Sequence, residues 1–174
     1  MAQIFYAVKA NPAPEVVKRL VELGSSFDVA SPAEVELVRD AGAPAERISF
    51  GNTIKKEADI KWAYDYGVRM FAFDSEAELQ KLARSAPGSR VFCRLLVSCE
   101  GADWPLSRKF GCEIPMARDL LIKAKSLGLE PYGVSFHVGS QQTRLDQCDR
   151  ALGQASALFS EPDAVGIELH MVNL

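Results

Sequence analysis

The 174 residues, 48% apolar and 25% charged with a net charge of -3, have the composition of one soluble globular domain and offer no electrostatic attraction for nucleic acid or an anionic membrane. No apolar run approaches the roughly 20 residues of a membrane helix, and the first residues lack the basic start and apolar run of a secretory signal, so a cytoplasmic protein is expected. Four cysteines and two histidines show no zinc-ligand spacing; reduced thiols and no metal site are expected, with Cys93 in the core, while Cys99 and Cys112 flank a loop where exposure is open to them and no chemistry is assigned.

The first predicted element is a strand, Ile4–Lys9, which breaks at once into Asn11 and Pro12. Six more β-prone runs follow: Ser26–Ala30, Ile48–Phe50, Met70–Phe73, Val91–Val97, Gly133–Val138 and Gly166–Val172. The first five start about 22 residues apart, the length of a strand, a helix and two turns. Between them lie apolar residues at helical intervals, such as Val16, Val17, Leu20 and Val21, or Leu79, Leu82 and Ala83. Ser31-Pro32-Ala33-Glu34 and Asp74-Ser75-Glu76 open helices, and Gly24, Gly42, Gly67 and Gly128 close them.

Strands alternating with helices require parallel pairing with right-handed crossovers, in a (β/α)8 barrel or an open doubly wound sheet. Regular spacing without a G-x-G-x-x-G turn favours the barrel. Seven strands do not close one, and the sequence stops at "ELHMVNL", so residues 1–174 are expected to be one partial barrel domain. The stretch Ser98–Pro115 departs from the repeat and roughly doubles one strand-to-strand interval, which marks it as functional. It carries Trp104 and adjacent Arg108 and Lys109, which form either a solvated basic turn or a pairing surface for a carboxylate on another domain or subunit.

In such barrels chemistry collects at the carboxyl ends of the strands. Those positions hold Lys9, Asn11, Asp28, Asn52, Asp74, Arg94, His137, Ser140 and Asn173. Lys9 is either a lysine that snorkels to solvent or an amine desolvated enough to attack an aldehyde. Asp28 and Asp74 could cap the following helices, a reading preferred for Asp74. Arg94, within an apolar run, requires a buried carboxylate or a bound anion. His137 is as often a satisfied core histidine as an active one, while the Gly139-Ser140 turn after it suits a phosphate or planar ligand. His170 is read as structural.

The segments "FYAVKAN" (5–11), "FDVAS" (27–31), "FGNTIKK" (50–56), "FDSEAEL" (73–79), "SRKFG" (107–111) and "GVSFHVGSQ" (133–141) resemble, in order and over essentially the whole sequence, the pyridoxal-phosphate-dependent decarboxylases of the alanine racemase fold type, the ornithine/diaminopimelate/arginine decarboxylase family. The resemblance implies a (β/α)8 barrel that binds pyridoxal 5'-phosphate. It implies that Lys9 holds the cofactor covalently, His137 stacks on its ring and Ser140 binds its phosphate. Asp28 and Arg94 then line the pocket, with Glu34 in the same neighbourhood, and Lys109 forms a salt bridge across a homodimer interface. The implied reaction is decarboxylation of a basic amino acid, ornithine to putrescine being favoured over lysine, arginine or diaminopimelate. The eighth strand, a glycine-rich phosphate loop and a C-terminal β domain of the family are not in the sequence, so these residues alone are expected to be inactive. A regulatory homologue that binds a protein partner is one rival, disfavoured by the presence of Lys9, His137 and Ser140; a racemase or cofactor carrier on the same barrel is the other.

Overall fold

The computed structural model describes residues 2–104, 109–160 and 166–174, apart from the side chain of Ser160. Its elements are β1 (Phe5–Ala7), α1 (Pro14–Glu22), β2 (Ser26–Val29), α2 (Pro32–Asp40), β3 (Ile48–Phe50), α3 (Glu57–Tyr66), β4 (Met70–Phe73), α4 (Glu76–Ser85), β5 (Arg90–Arg94), β6 (Ala102–Trp104), α5 (Ile114–Ser126), β7 (Glu130–Ser135), β8 (Ser140–Gln142), α6 (Asp146–Ser160) and β9 (Met171–Asn173). Seven strands run parallel in the order β1-β2-β3-β4-β5-β7-β9, a curled portion of a (β/α)8 barrel wall. The excursion between β5 and β7 is not bare loop. Its β6 pairs antiparallel with β8, both too short to show a period of two in the sequence.

Local chemistry sets the boundaries. Ser31 Oγ accepts a hydrogen bond from the Glu34 amide at 3.3 Å, and Glu34 Oε2 accepts one from the Ala30 amide at 2.7 Å, a reciprocal cap at the start of α2. Ser75 caps α4 in the same way through the Glu78 amide. Gly24, Gly42, Gly67 and Gly128 all take positive φ where a helix ends.

Several strand limits differ from expectation. Lys9 lies beyond β1, in a single 3-10 turn of Val8–Ala10, because Pro12 holds Asn11 extended and the sheet pairs only as far as Ala7. β5 ends at Arg94, after which Leu95 bridges to the returning Cys112. β9 begins at Met171, later than expected, and His170 is an exposed residue before it whose amide bonds the Tyr132 carbonyl.

The sheet is covered on its outer face by helices. Phe27, Ile48, Phe50, Phe71, Phe73 and Val91 point into that layer and pack with Val17, Val35, Ile60, Leu79, Leu82 and Leu121. Alternate residues face the opposite way, where Met70, Ala72 and Phe92 form a second, smaller cluster with Phe5, Tyr132 and Met171 around it. Phe71 is fully buried and its ring stacks on Phe50 at 6.2 Å. Replacing Phe71 with Ala is expected to lower the unfolding free energy by about 3–5 kcal/mol, measured by chemical denaturation.

Candidate active site

The period of two that sends Phe27, Phe50, Phe73 and Cys93 toward the helices turns Asp28, Ser49, Asp74 and Arg94 to the inner face at the carboxyl ends of their strands. His137 follows β7 on the same phase, since Val134 and Phe136 belong to the helix-side core. Lys9 arrives from the end of β1. One barrel mouth therefore gathers Lys9, Asp28, Arg94 and His137.

Their mutual influence is electrostatic. Asp28 is pushed up to about 6, first by burial and also by the Glu34 carboxylate, against the opposing pull of Lys9, Ser49 and Arg94. Ser49 is its register partner on β3, yet Asp28 Oδ1 and Ser49 Oγ are both buried outside hydrogen-bonding geometry, so burial dominates. The carboxylate rests on Gly51: a Cβ there would lie 2.1 Å from Oδ1. Arg94 is lowered by burial, against the carboxylates of Asp74 and Asp28, and its guanidinium stands 5.3 Å from the Phe110 ring. Arg94 has no ion pair or side-chain hydrogen bond among the described residues. The anion expected of it is thus not supplied by a direct carboxylate contact. His137 is lowered by burial and by the Arg94 and Lys9 charges. Its Nδ1 accepts the Gly139 amide at 2.9 Å, which assigns the proton of the neutral ring to Nε2.

Other expectations change. Lys9 is exposed rather than sheltered: it lies past the end of β1, which among the described strands pairs with β2 alone. Asp74 is not a helix cap. Ser75 fills that role, and Asp74 Oδ2 accepts the Gly111 amide at 2.9 Å, tying the returning excursion to β4. Ser140 is an exposed residue of β8, and the Gly139 amide is already engaged by His137, so the turn does not present two free donors. Glu34 serves its helix cap. Lys109 is exposed, whereas Ser107 and Arg108 of the same segment lie outside the described residues. Cys99 and Cys112 are buried, and Cys112 Sγ lies 3.5 Å from Cys93 Sγ. That contact and complete burial push the Cys93 thiol well above its ordinary range, which makes it unreactive.

A buried ion cluster was not anticipated. Lys55, between β3 and α3, has its ammonium 2.7 Å from the Asn52 carbonyl, 2.6 Å from the Ala72 carbonyl and 3.0 Å from Glu78 Oε1. Glu78 also pairs with Lys81. Burial brings Lys55 down to about 8 against the pull of Glu78. Nothing in "GNTIKK" separates this lysine from a solvated one; the weak signal is Glu78 on the first turn of α4.

Comparison with known proteins places these residues in context. Residues 1–174 match the family described as pyridoxal-dependent decarboxylase, pyridoxal binding domain. The chain is 40% identical over 168 residues to a lysine/ornithine decarboxylase of Selenomonas ruminantium, covering 97% of this chain and 43% of that protein. It is 41% identical over 170 residues to antizyme inhibitor 2 of Xenopus laevis, covering 98% of this chain and 37% of that one. The structure of the Paramecium bursaria Chlorella virus arginine decarboxylase bound to agmatine superposes with a TM-score of 0.93 at 33% identity, covering 98% of this chain and 47% of the other. The chain thus spans less than half the length of these relatives.

The burial of Asp28 has a measurable consequence. Its pKa is raised on folding, from 3.8 to about 6, so the folded state binds a proton more tightly than the unfolded one. Above pH 6 the buried charge lowers stability, by up to about 3 kcal/mol; the penalty fades between pH 6 and pH 4. Asp28→Asn is therefore expected to raise the unfolding free energy at pH 7.5, with the gain vanishing near pH 4, measured by urea unfolding across that range.

Proposed function

Since this chain belongs to the pyridoxal-dependent decarboxylases, through their pyridoxal-binding domain, we propose that it forms the cofactor-holding part of a cytoplasmic lyase that decarboxylates a basic amino acid, with L-ornithine as substrate and putrescine as product. The observation that carries this reading is the mouth itself. Among the described residues Arg94 has no ion-pair partner and Asp28 Oδ1 no hydrogen bond, both beside Lys9 and His137, and a polar, anionic ligand would complete them. Pyridoxal phosphate fits this set: its aldehyde suits an amine, its ring a flat imidazole and its charge a free guanidinium.

Each residue then has a task. Lys9 provides the amine that bonds to the aldehyde. It is exposed, and so open to a ligand that enters the mouth. His137, held by the Gly139 amide, presents a ring plane fixed in one orientation. The Arg94 and Lys9 charges that lower it keep this ring neutral, so that it packs on an aromatic ligand without adding charge. Asp28, its pKa raised by burial to about 6, is chiefly ionised at pH 7 and able to accept a hydrogen bond. Arg94 neutralises anionic groups, and the Ser140 hydroxyl is assigned to phosphate. The cofactor, when bound, supplies the electron sink that lets the bond to the substrate carboxylate break. Lys109, exposed, is assigned to a salt bridge with a second subunit in a homodimer.

The identity to antizyme inhibitor 2 supports one other reading, a non-catalytic homologue that binds a protein partner. The two differ in one assay. A protein that carries these residues at the full length of the relatives, incubated with pyridoxal phosphate and reduced with borohydride, is expected to carry the cofactor on the peptide containing Lys9, and its Lys9→Ala variant to carry none. An unlabelled Lys9 with no carbon dioxide released from ornithine, lysine or arginine would favour the regulatory reading. With labelling established, ornithine is expected to give the highest kcat/KM of the three.

A further inference from the structure

Lys55 is 4% exposed, and its ammonium donates hydrogen bonds to two backbone carbonyls and forms an ion pair with one carboxylate, on three different segments. Asn52 belongs to the exit from β3, Ala72 to β4 and Glu78 to α4. Lys81 closes the knot from the outside, meeting both Glu78 and the Lys55 carbonyl, and the Lys55 amide lies 3.4 Å from Glu78 Oε2. The segment held in this way begins with Gly51. The Gly51 amide bonds the Val29 carbonyl at 2.9 Å, and Gly51 is the surface on which the Asp28 carboxylate lies. A buried ion pair contributes little net stability over an apolar pair of similar volume, so stability alone does not account for a lysine here.

We propose that Lys55 is a positioning residue: by fastening the β3 exit to β4 and α4 it fixes the Gly51 backbone, and so holds Asp28 dry and in place at the barrel mouth. The importance of that placement for cofactor binding rests on the function proposed above; the placement itself does not. Lys55 acts through backbone, not through charge. The charged groups facing Asp28 are Lys9 beyond β1, Glu34 on α2 and Arg94 on β5, with the Ser49 hydroxyl on β3, while those facing Lys55 are Glu78, Lys81 and Asp74.

The signs of the two effects are opposite, which gives the test. Losing a nearby cation would raise the Asp28 pKa; loosening its floor and admitting water lowers it. Asp28 is followed by carbon-13 NMR of the cofactor-free protein, its resonance assigned with Asp28→Asn. In Lys55→Met the Asp28 midpoint is expected to fall by one pH unit or more, a tenfold change in ionisation. Because Lys55→Met also destabilises the fold, Lys55→Met/Glu78→Met is made alongside it, replacing both buried partners and restoring the melting temperature. The lowered midpoint is expected to persist in the double variant, accompanied by at least tenfold weaker pyridoxal phosphate binding. An unchanged or raised midpoint in either variant, or one that recovers together with stability, overturns the proposal. A wild-type protein that takes up no cofactor would count against the proposed function, while the Asp28 titration would still decide the role of Lys55.

Discussion

A parallel sheet roofed by helices must send every second side chain inward, and in this protein that inner row changes character along each strand. Its lower positions are apolar, as at Met70, Ala72 and Phe92. Its upper ones are Asp28, Asp74 and Arg94, with His137 on the same phase. Everything functional follows from this. The helix-side core supplies the stability that lets the inner rim hold charged groups without good partners, a placement that opposes folding. Asp28 shows the strain most clearly, since its carboxylate is buried against a glycine with no hydrogen bond to one of its oxygens.

How that strain is kept local is a matter of backbone. Two ties converge on the mouth from outside it. The Lys55 ammonium gathers the β3 exit, β4 and α4, and the Asp74 carboxylate holds Gly111 of the returning excursion against the end of β4. At Gly111 an added Cβ would lie 2.8 Å from the Leu95 backbone, so the return passes as close to β5 as a chain can. With both ties in place, the segments on either side of Asp28 and Arg94 have little room to relax toward solvent. On the proposed function this is preorganisation, with polar groups held for a ligand rather than for each other.

The sequence made part of this visible and concealed part of it. Strand ends were readable because short β-prone runs recur at even spacing and stop at polar residues, which put Lys9, Asp28, Arg94 and His137 in one longer set with Asn11, Asn52, Asp74, Ser140 and Asn173; only the family resemblance narrowed that set. The fold class followed from the same rhythm. What it concealed depends on contacts distant in sequence. The exposure of Lys9 is a property of its place past the end of β1, not of the apolar residues before it. Asp74 looks like a helix cap until Gly111 is seen beside it. The Gly139 amide looks free until the His137 ring is placed. Lys55 looks solvated until Glu78, 23 positions on, is folded against it. In each case local propensity named the residue type correctly and tertiary packing chose its partner.

The central claim, that Lys9 and His137 share one mouth, can be tested with the imidazole signals, because the protein has only two histidines. The Lys9 charge lowers His137, so Lys9→Met should shift the His137 titration to higher pH, with His170 as the internal control. A His137 titration that stays in place when this charge is removed would put the amine outside the mouth and contradict the account.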